Sequence, residues 1–80
     1  MNELYIAVQT AYYGPVYCYH YPNATQNDIG DCCEDACATA FGEYERLVEN
    51  SDVPAAELYQ SISVVEVNST KPTCSYYEYV

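Results

Sequence analysis

Basic side chains are nearly missing from this sequence: Arg46 and Lys71 stand against twelve Asp and Glu, and the net charge at neutral pH is −10. So few cations exclude direct nucleic-acid binding and attachment to an anionic membrane surface, because the chain repels phosphate in both and draws basic protein surfaces instead. No stretch reaches the roughly 18 consecutive apolar residues of a membrane span. The opening MNELYIAVQTAYY has no basic segment followed by a long apolar run, so a secretory signal is not expected either. The expectation is a cytoplasmic protein, in which the two matches to a glycosylation acceptor, Asn23-Ala24-Thr25 and Asn68-Ser69-Thr70, are chance. Histidine occurs once, at His20, and no nucleophile elbow, glycine-rich phosphate loop or paired metal motif is present. These absences predict a protein that is not an enzyme, with no catalytic residues and no cofactor.

What the chain does contain argues for a folded domain. Half of its residues are hydrophobic and eleven are tyrosine, a composition that opposes the disorder a high net charge otherwise favours. Its 80 residues make one compact domain, 1–80. A chain of that size buries only roughly 60% of its unfolded surface, too little to enclose a large active-site cleft.

Hydrophobic period divides the chain into elements. From Glu3 to Thr10 the residues alternate, with Leu4, Ile6 and Val8 on one face and Tyr5, Ala7 and Gln9 on the other, the signature of a half-buried strand. Tyr13-Gly14-Pro15 breaks the pattern, and Val16 to Tyr21 forms a second strand with Tyr17, Tyr19 and Tyr21 on one face and Cys18 and His20 on the other. The pair reads as a hairpin. Pro22-Asn23-Ala24 is a loop, and Thr25 with Asp28 three residues later predicts a helix start of the capping-box type.

Residues 28 to 49, placed at about 100° per residue, segregate into two arcs. Ile29, Cys33, Ala36, Cys37, Ala40, Tyr44, Leu47 and Val48 share one arc; Asp28, Asp31, Glu34, Asp35, Glu45 and Glu49 share the other. Ala38 and Gly42 fall among the acids and leave the middle of that face flat. Beyond it, Ser51 to Tyr59 carries a capping residue, an early proline and helix formers, which predicts a short second helix. Ser61 to Asn68 and Thr73 to Val80 are β-rich and flank a turn at Ser69-Thr70-Lys71-Pro72, the pattern of a C-terminal hairpin. The expected fold is α+β, in the order ββα(α)ββ: a four-stranded antiparallel sheet with one long amphipathic helix packed on one face.

Three side-chain types remain to be assigned. Cys32, Cys33 and Cys37 form a CCxxxC cluster that Cys18 and His20 could extend into a soft metal site, but zinc sites use paired CxxC-like loops. Structural burial is expected, with no metal and with the five cysteines as thiols in a reducing compartment; a disulfide involving Cys18 or Cys74 is the remaining alternative. Tyr5, Tyr17, Tyr19, Tyr21, Tyr77 and Tyr79 are expected on the sheet face opposite the helix, as contact area for a partner or for a homodimer. The acidic arc lacks the cations that would pair with it along the helix. Its carboxylates repeat about 5 to 6 Å apart, a spacing on the scale of nucleic-acid phosphates, so the face can occupy a basic groove that otherwise holds DNA or RNA.

Short length, strong acidity, abundant tyrosine, a small antiparallel sheet with one helix and no catalytic motif together resemble the small phage-encoded inhibitors of bacterial defence, the anti-CRISPR proteins. That resemblance implies a stoichiometric inhibitor in the host bacterial cytosol. Its partner is then a CRISPR-Cas effector complex, whose Lys/Arg-rich nucleic-acid-binding surface it covers so that target DNA or PAM is blocked. The alternative is a structural or regulatory phage or bacterial protein that self-associates through the tyrosine-rich sheet face.

Overall fold

The computed structural model describes residues 3–49, 52–71, 74 and 76–79, with the backbone alone described at 13–15 and 76–79. Strands β1 (Leu4–Thr10) and β2 (Tyr13–Tyr21) come first, then a 3-10 turn at Gln26–Asp28 and helix α1 (Ile29–Leu47). Helix α2 (Ala55–Ser61), strand β3 (Ile62–Asn68) and strand β4 (Tyr76–Tyr79) complete the order.

The architecture is α+β, but the sheet is not the one expected. Its antiparallel part has three strands, β3, β1 and β2, rather than four; β4 joins the edge of β2 in parallel, giving the spatial order β3-β1-β2-β4. The C-terminal hairpin does not form. Two β-rich runs either side of a turn signal that the chain can reverse, but not which strand it then joins. Here β1 is already paired on both sides, β3 takes one edge, and β4 takes the other.

Register decides what the faces carry. Leu4 lies opposite Tyr21, Ile6 opposite Tyr19 and Val8 opposite Tyr17, so the three tyrosines share a face with the apolar residues of β1. That face receives α1. Leu4, Ile6, Val8, Tyr17, Tyr19 and Tyr21 form one buried cluster with Ala36, Ala40, Tyr44, Val48 and Leu58. Ala36 and Ala40 are fully buried and small, which lets the helix backbone approach bulky rings, and Tyr44 meets Tyr17 edge-on with centroids 4.9 Å apart at 89°. Leu47, expected in the same arc, is instead exposed at the end of the helix. Each fully buried side chain of large apolar type is worth about 1.5–3 kcal/mol, so the rings dominate a core that a chain this short could not otherwise fill.

Local chemistry sets the boundaries of the helices. Before α1, the Thr25 amide donates to Asp28 Oδ2 at 3.1 Å and its hydroxyl donates to the same oxygen at 2.9 Å, holding the turn that launches the helix. Helix α2 starts after Pro54, whose carbonyl accepts from the Leu58 amide at 2.9 Å, and it drives Leu58 into the core. Its end is tied to the sheet: Ser61 Oγ donates to the Leu58 carbonyl at 2.6 Å and also hydrogen-bonds Thr10 Oγ1. The Tyr12 hydroxyl, in the β1–β2 turn, donates to Glu57 Oε1 at 2.6 Å.

Candidate functional site

The face of α1 that turns away from the sheet carries the acids. Asp31, Glu34, Asp35, Glu45 and, just past the helix end, Glu49 are exposed, as are Ala38 and Gly42 between them, while Asp28 is half-buried in the capping turn. The helix backbone spaces carboxylates three or four residues apart by about 5–6 Å. Gly42 has open space where a Cβ would stand, so the middle of the face is bare backbone. Arg46 lies in the last turn, where a cation suits the negative end of the helix dipole.

Two of the six acids are tied into the fold. Hydrogen bonds from the Thr25 backbone and then its hydroxyl hold the Asp28 carboxyl below its ordinary range, so Asp28 acts first as a cap. Asp35 Oδ2 accepts from the Tyr21 hydroxyl at 2.9 Å, a bridge from helix to sheet. Burial, with the Asp35 carboxylate second, pushes the Tyr21 phenol well above its usual value. Asp28, Asp31 and Asp35 line one side of an open depression of about 410 Å³, with Tyr21, Pro22 and Cys32 completing its wall.

Of the thiols of α1, Cys33 and Cys37 face the other way, while Cys32 stands at the border, in the wall of that depression. Cys32, Cys33 and Cys37 are partly buried against the core cluster, and burial is the leading cause that raises the pKa of each, so at neutral pH they are thiols. Among the described residues no group of three or more His, Cys, Asp or Glu side chains stands in an arrangement that could hold a metal ion.

The tyrosine face does not form as expected. Tyr17, Tyr19 and Tyr21 are buried beneath α1, on the helix side of the sheet rather than opposite it, because the hairpin register aligns them with Leu4, Ile6 and Val8. Tyr5 is on the far face, stacked on His20 with centroids 4.4 Å apart and planes 6° from parallel. His20 is itself buried, with Nε2 3.2 Å from Glu3 Oε1, so this single histidine is a packed member of the sheet. The side chains of Tyr77 and Tyr79 lie outside the described residues.

One feature fulfils an alternative instead of the leading expectation, and two escaped the sequence reading. Cys18 and Cys74 form a disulfide, with Cα atoms 6.1 Å apart, which overturns the expectation of five free thiols. Neither the sequence separation of 56 nor any motif marks the pair, which meets only because β4 lies beside β2. Tyr44 was legible as a core residue, but its buried hydroxyl also reaches the Val8 carbonyl at 3.3 Å. Strand β3 forms an outer edge of the sheet with Val65 and Val67 exposed, at 52% and 41%; a bulge there leaves Val65 between the pairs Ala7–Glu66 and Val8–Val64. The alternation of its apolar residues carried a partial signal for that edge.

No protein-family model, no curated protein and no solved structure matches this chain. No helix among the described residues is long and apolar enough to cross a membrane.

Proposed function

We propose that the protein is a stoichiometric inhibitor that uses the acidic face of α1 to occupy a Lys/Arg-rich nucleic-acid-binding surface, in the manner of the anti-CRISPR proteins that its overall character resembles. The observation that carries this reading is the row of exposed carboxylates at Asp31, Glu34, Asp35, Glu45 and Glu49 along one helix and its end, with flat ground at Ala38 and Gly42 among them. These acids fall in two groups on one rigid scaffold, Asp31, Glu34 and Asp35 near its start and Glu45 and Glu49 at its end, with about 15 Å of helix between Asp35 and Glu45. A basic groove emptied of nucleic acid regains counter-charges when it takes this helix, and the long-range field of a −10 chain speeds the encounter. The protein acts by binding and not by turnover. Its setting is the cytosol of a bacterial host, and its partner a CRISPR-Cas effector whose target DNA or PAM site it blocks. Tyr17, Tyr19 and Tyr21 serve this surface from beneath, as the packing that holds α1 in place.

The test is a competition assay for target DNA on effector complexes captured from a bacterial lysate. The variant Asp31→Asn, Asp35→Asn, Glu45→Gln, Glu49→Gln should melt at or slightly above the wild-type temperature and lose at least tenfold in inhibitory potency. The amide that replaces the Asp35 carboxylate retains an acceptor oxygen for the Tyr21 hydroxyl, so the helix-to-sheet bridge survives the change. A variant that competes at the wild-type concentration sinks the proposal.

A second reading is self-association, now through the open edge of β3 instead of a tyrosine face, and the exposed Val65 and Val67 favour it. Sedimentation at rising protein concentration separates the two: a dimer that Val65→Lys dissolves supports self-association, whereas a monomer throughout leaves the inhibitor reading alone.

A further inference from the structure

We propose that the Cys18–Cys74 bond is a redox latch that holds the C-terminal strand β4 on the sheet, and that its reduction by a dithiol releases β4 while the rest of the fold stays assembled. The inference does not depend on the identity of the partner; in the reducing cytosol of the reading above, the released form is the one expected.

Its first support is the way β4 is held. Among the described residues strand β4 has one neighbour, β2, and meets it through a short parallel ladder from Tyr17–Tyr76 to His20–Tyr79. Parallel pairing is slightly weaker per residue than antiparallel, and a strand at an edge has no second partner to hold it. The remaining elements support one another. Strand β1 is paired along both sides, and α1 packs across β1, β2 and β3 and against α2.

The bond sits where it controls this one ladder. Cys18 belongs to β2, in register with Tyr77 of β4, and Cys74 lies two residues before β4 begins. Cys18 alternates with the buried Tyr17 and Tyr19 and so faces away from α1, where it is fully buried; Cys74 is partly exposed. The free thiols Cys32, Cys33 and Cys37 are on α1, across the sheet, so an external thiol must do the exchange.

The exchange balances as follows. One thiolate of the dithiol attacks the more accessible Cys74 sulfur, the bond to Cys18 breaks, and Cys18 leaves as a thiolate that takes up a proton. The second thiol of the reductant then displaces Cys74 as its thiol. The reductant ends as its own disulfide, and Cys18 and Cys74 have gained two electrons and two protons between them. Among the described residues the ladder then remains as the tie on β4, and the Tyr17–His20 edge of β2 opens when the strand leaves.

The full chain should be labelled with ¹⁵N and ¹³C and its spectra recorded before and after dithiothreitol, with alkylation and intact mass as the count of thiols. Alkylation under denaturing conditions should modify three cysteines in the untreated protein and all five after reduction. Reduction should move the Tyr76–Tyr79 shifts to random-coil values while α1, β1 and β3 keep their native shifts, and removal of dithiothreitol in air should restore them. The double variant Cys18→Ala, Cys74→Ala should show the reduced pattern without any reductant. Five modified cysteines before reduction, unchanged β4 shifts after it, or collapse of the whole spectrum with loss of β4 would each overturn the latch.

Discussion

At the scale of single residues, the buried Tyr44 and the partly buried Cys37 set how the protein responds to alkali and to truncation. The Tyr44 phenol lies in the core beside Tyr17, and burial, with the neighbouring Tyr17 second, pushes its pKa from 10.0 to about 12. In the unfolded chain it ionises near 10, so its contribution to stability is intact below pH 10 and is lost as pH rises through 12. Chemical denaturation between pH 9 and 12 should show stability falling across that interval, and Tyr44→Phe should flatten the fall; an unchanged slope would remove Tyr44 from the account. Tyr21 acts in the same direction, since its pKa is also raised. The thiols pose a packing question. Cys37 leans on the core cluster, so Cys37→Ala should cost about 1–2 kcal/mol through lost contact. Urea melts beside metal analysis by mass spectrometry decide it: stoichiometric zinc that disappears with the substitution would convert the cysteine from a packing residue into a ligand.

At the scale of the element, α1 carries a built-in weakness at the centre of its acidic side. Gly42 is exposed, helical and has open space around the position of a Cβ, so nothing in the packing calls for glycine there. Glycine in a helix interior costs roughly 0.5–1 kcal/mol relative to alanine through the freedom it regains on unfolding. Gly42→Ala should therefore raise stability by that amount. For a domain of this size the shift is about 2–8 °C in Tm, readable by circular dichroism. A lower Tm would mean that something unseen in the free chain sits against Gly42. Strand β4 is the opposite case, an element with little local support that its disulfide ties to β2.

At the scale of the whole molecule, charge dominates. Net charge is −10, and Arg46 and Lys71 are the only Lys or Arg to offset it, so the folded state carries repulsion that its surface does little to relieve. Screening acts on that repulsion directly, because the Debye length falls from about 30 Å at 0.01 M salt to about 8 Å at 0.15 M. Raising sodium chloride across that range should raise Tm and, in the same samples, slow association with a basic partner. The two effects have one cause and opposite signs. Surface-plasmon on-rates beside thermal melts would check both, and an on-rate indifferent to salt would leave the acidic side of α1 without a part in binding.

What the sequence determined by itself was local. The alternation of Leu4, Ile6 and Val8, the two arcs of α1 and the cap made by Thr25 and Asp28 depend on residues within a few positions of one another, where period and hydrogen-bonding chemistry act directly, and the imbalance of charge is a sum that needs no fold. The candidate acidic face was legible for that reason: spacing sorts the residues of a helix into faces, although Leu47 at its end is exposed against that pattern. Tertiary structure decided what one element does to another. The face that Tyr17, Tyr19 and Tyr21 occupy depended on their register with β1, since a strand's own alternation says which residues share a face but not which face meets the helix. The place of β4 beside β2, its parallel direction and the closure of Cys18 with Cys74 likewise depended on which sheet edges were left open once β1, β2 and β3 had paired. Pairing across a sheet is a competition among distant segments for the same backbone groups, and no local pattern records its outcome.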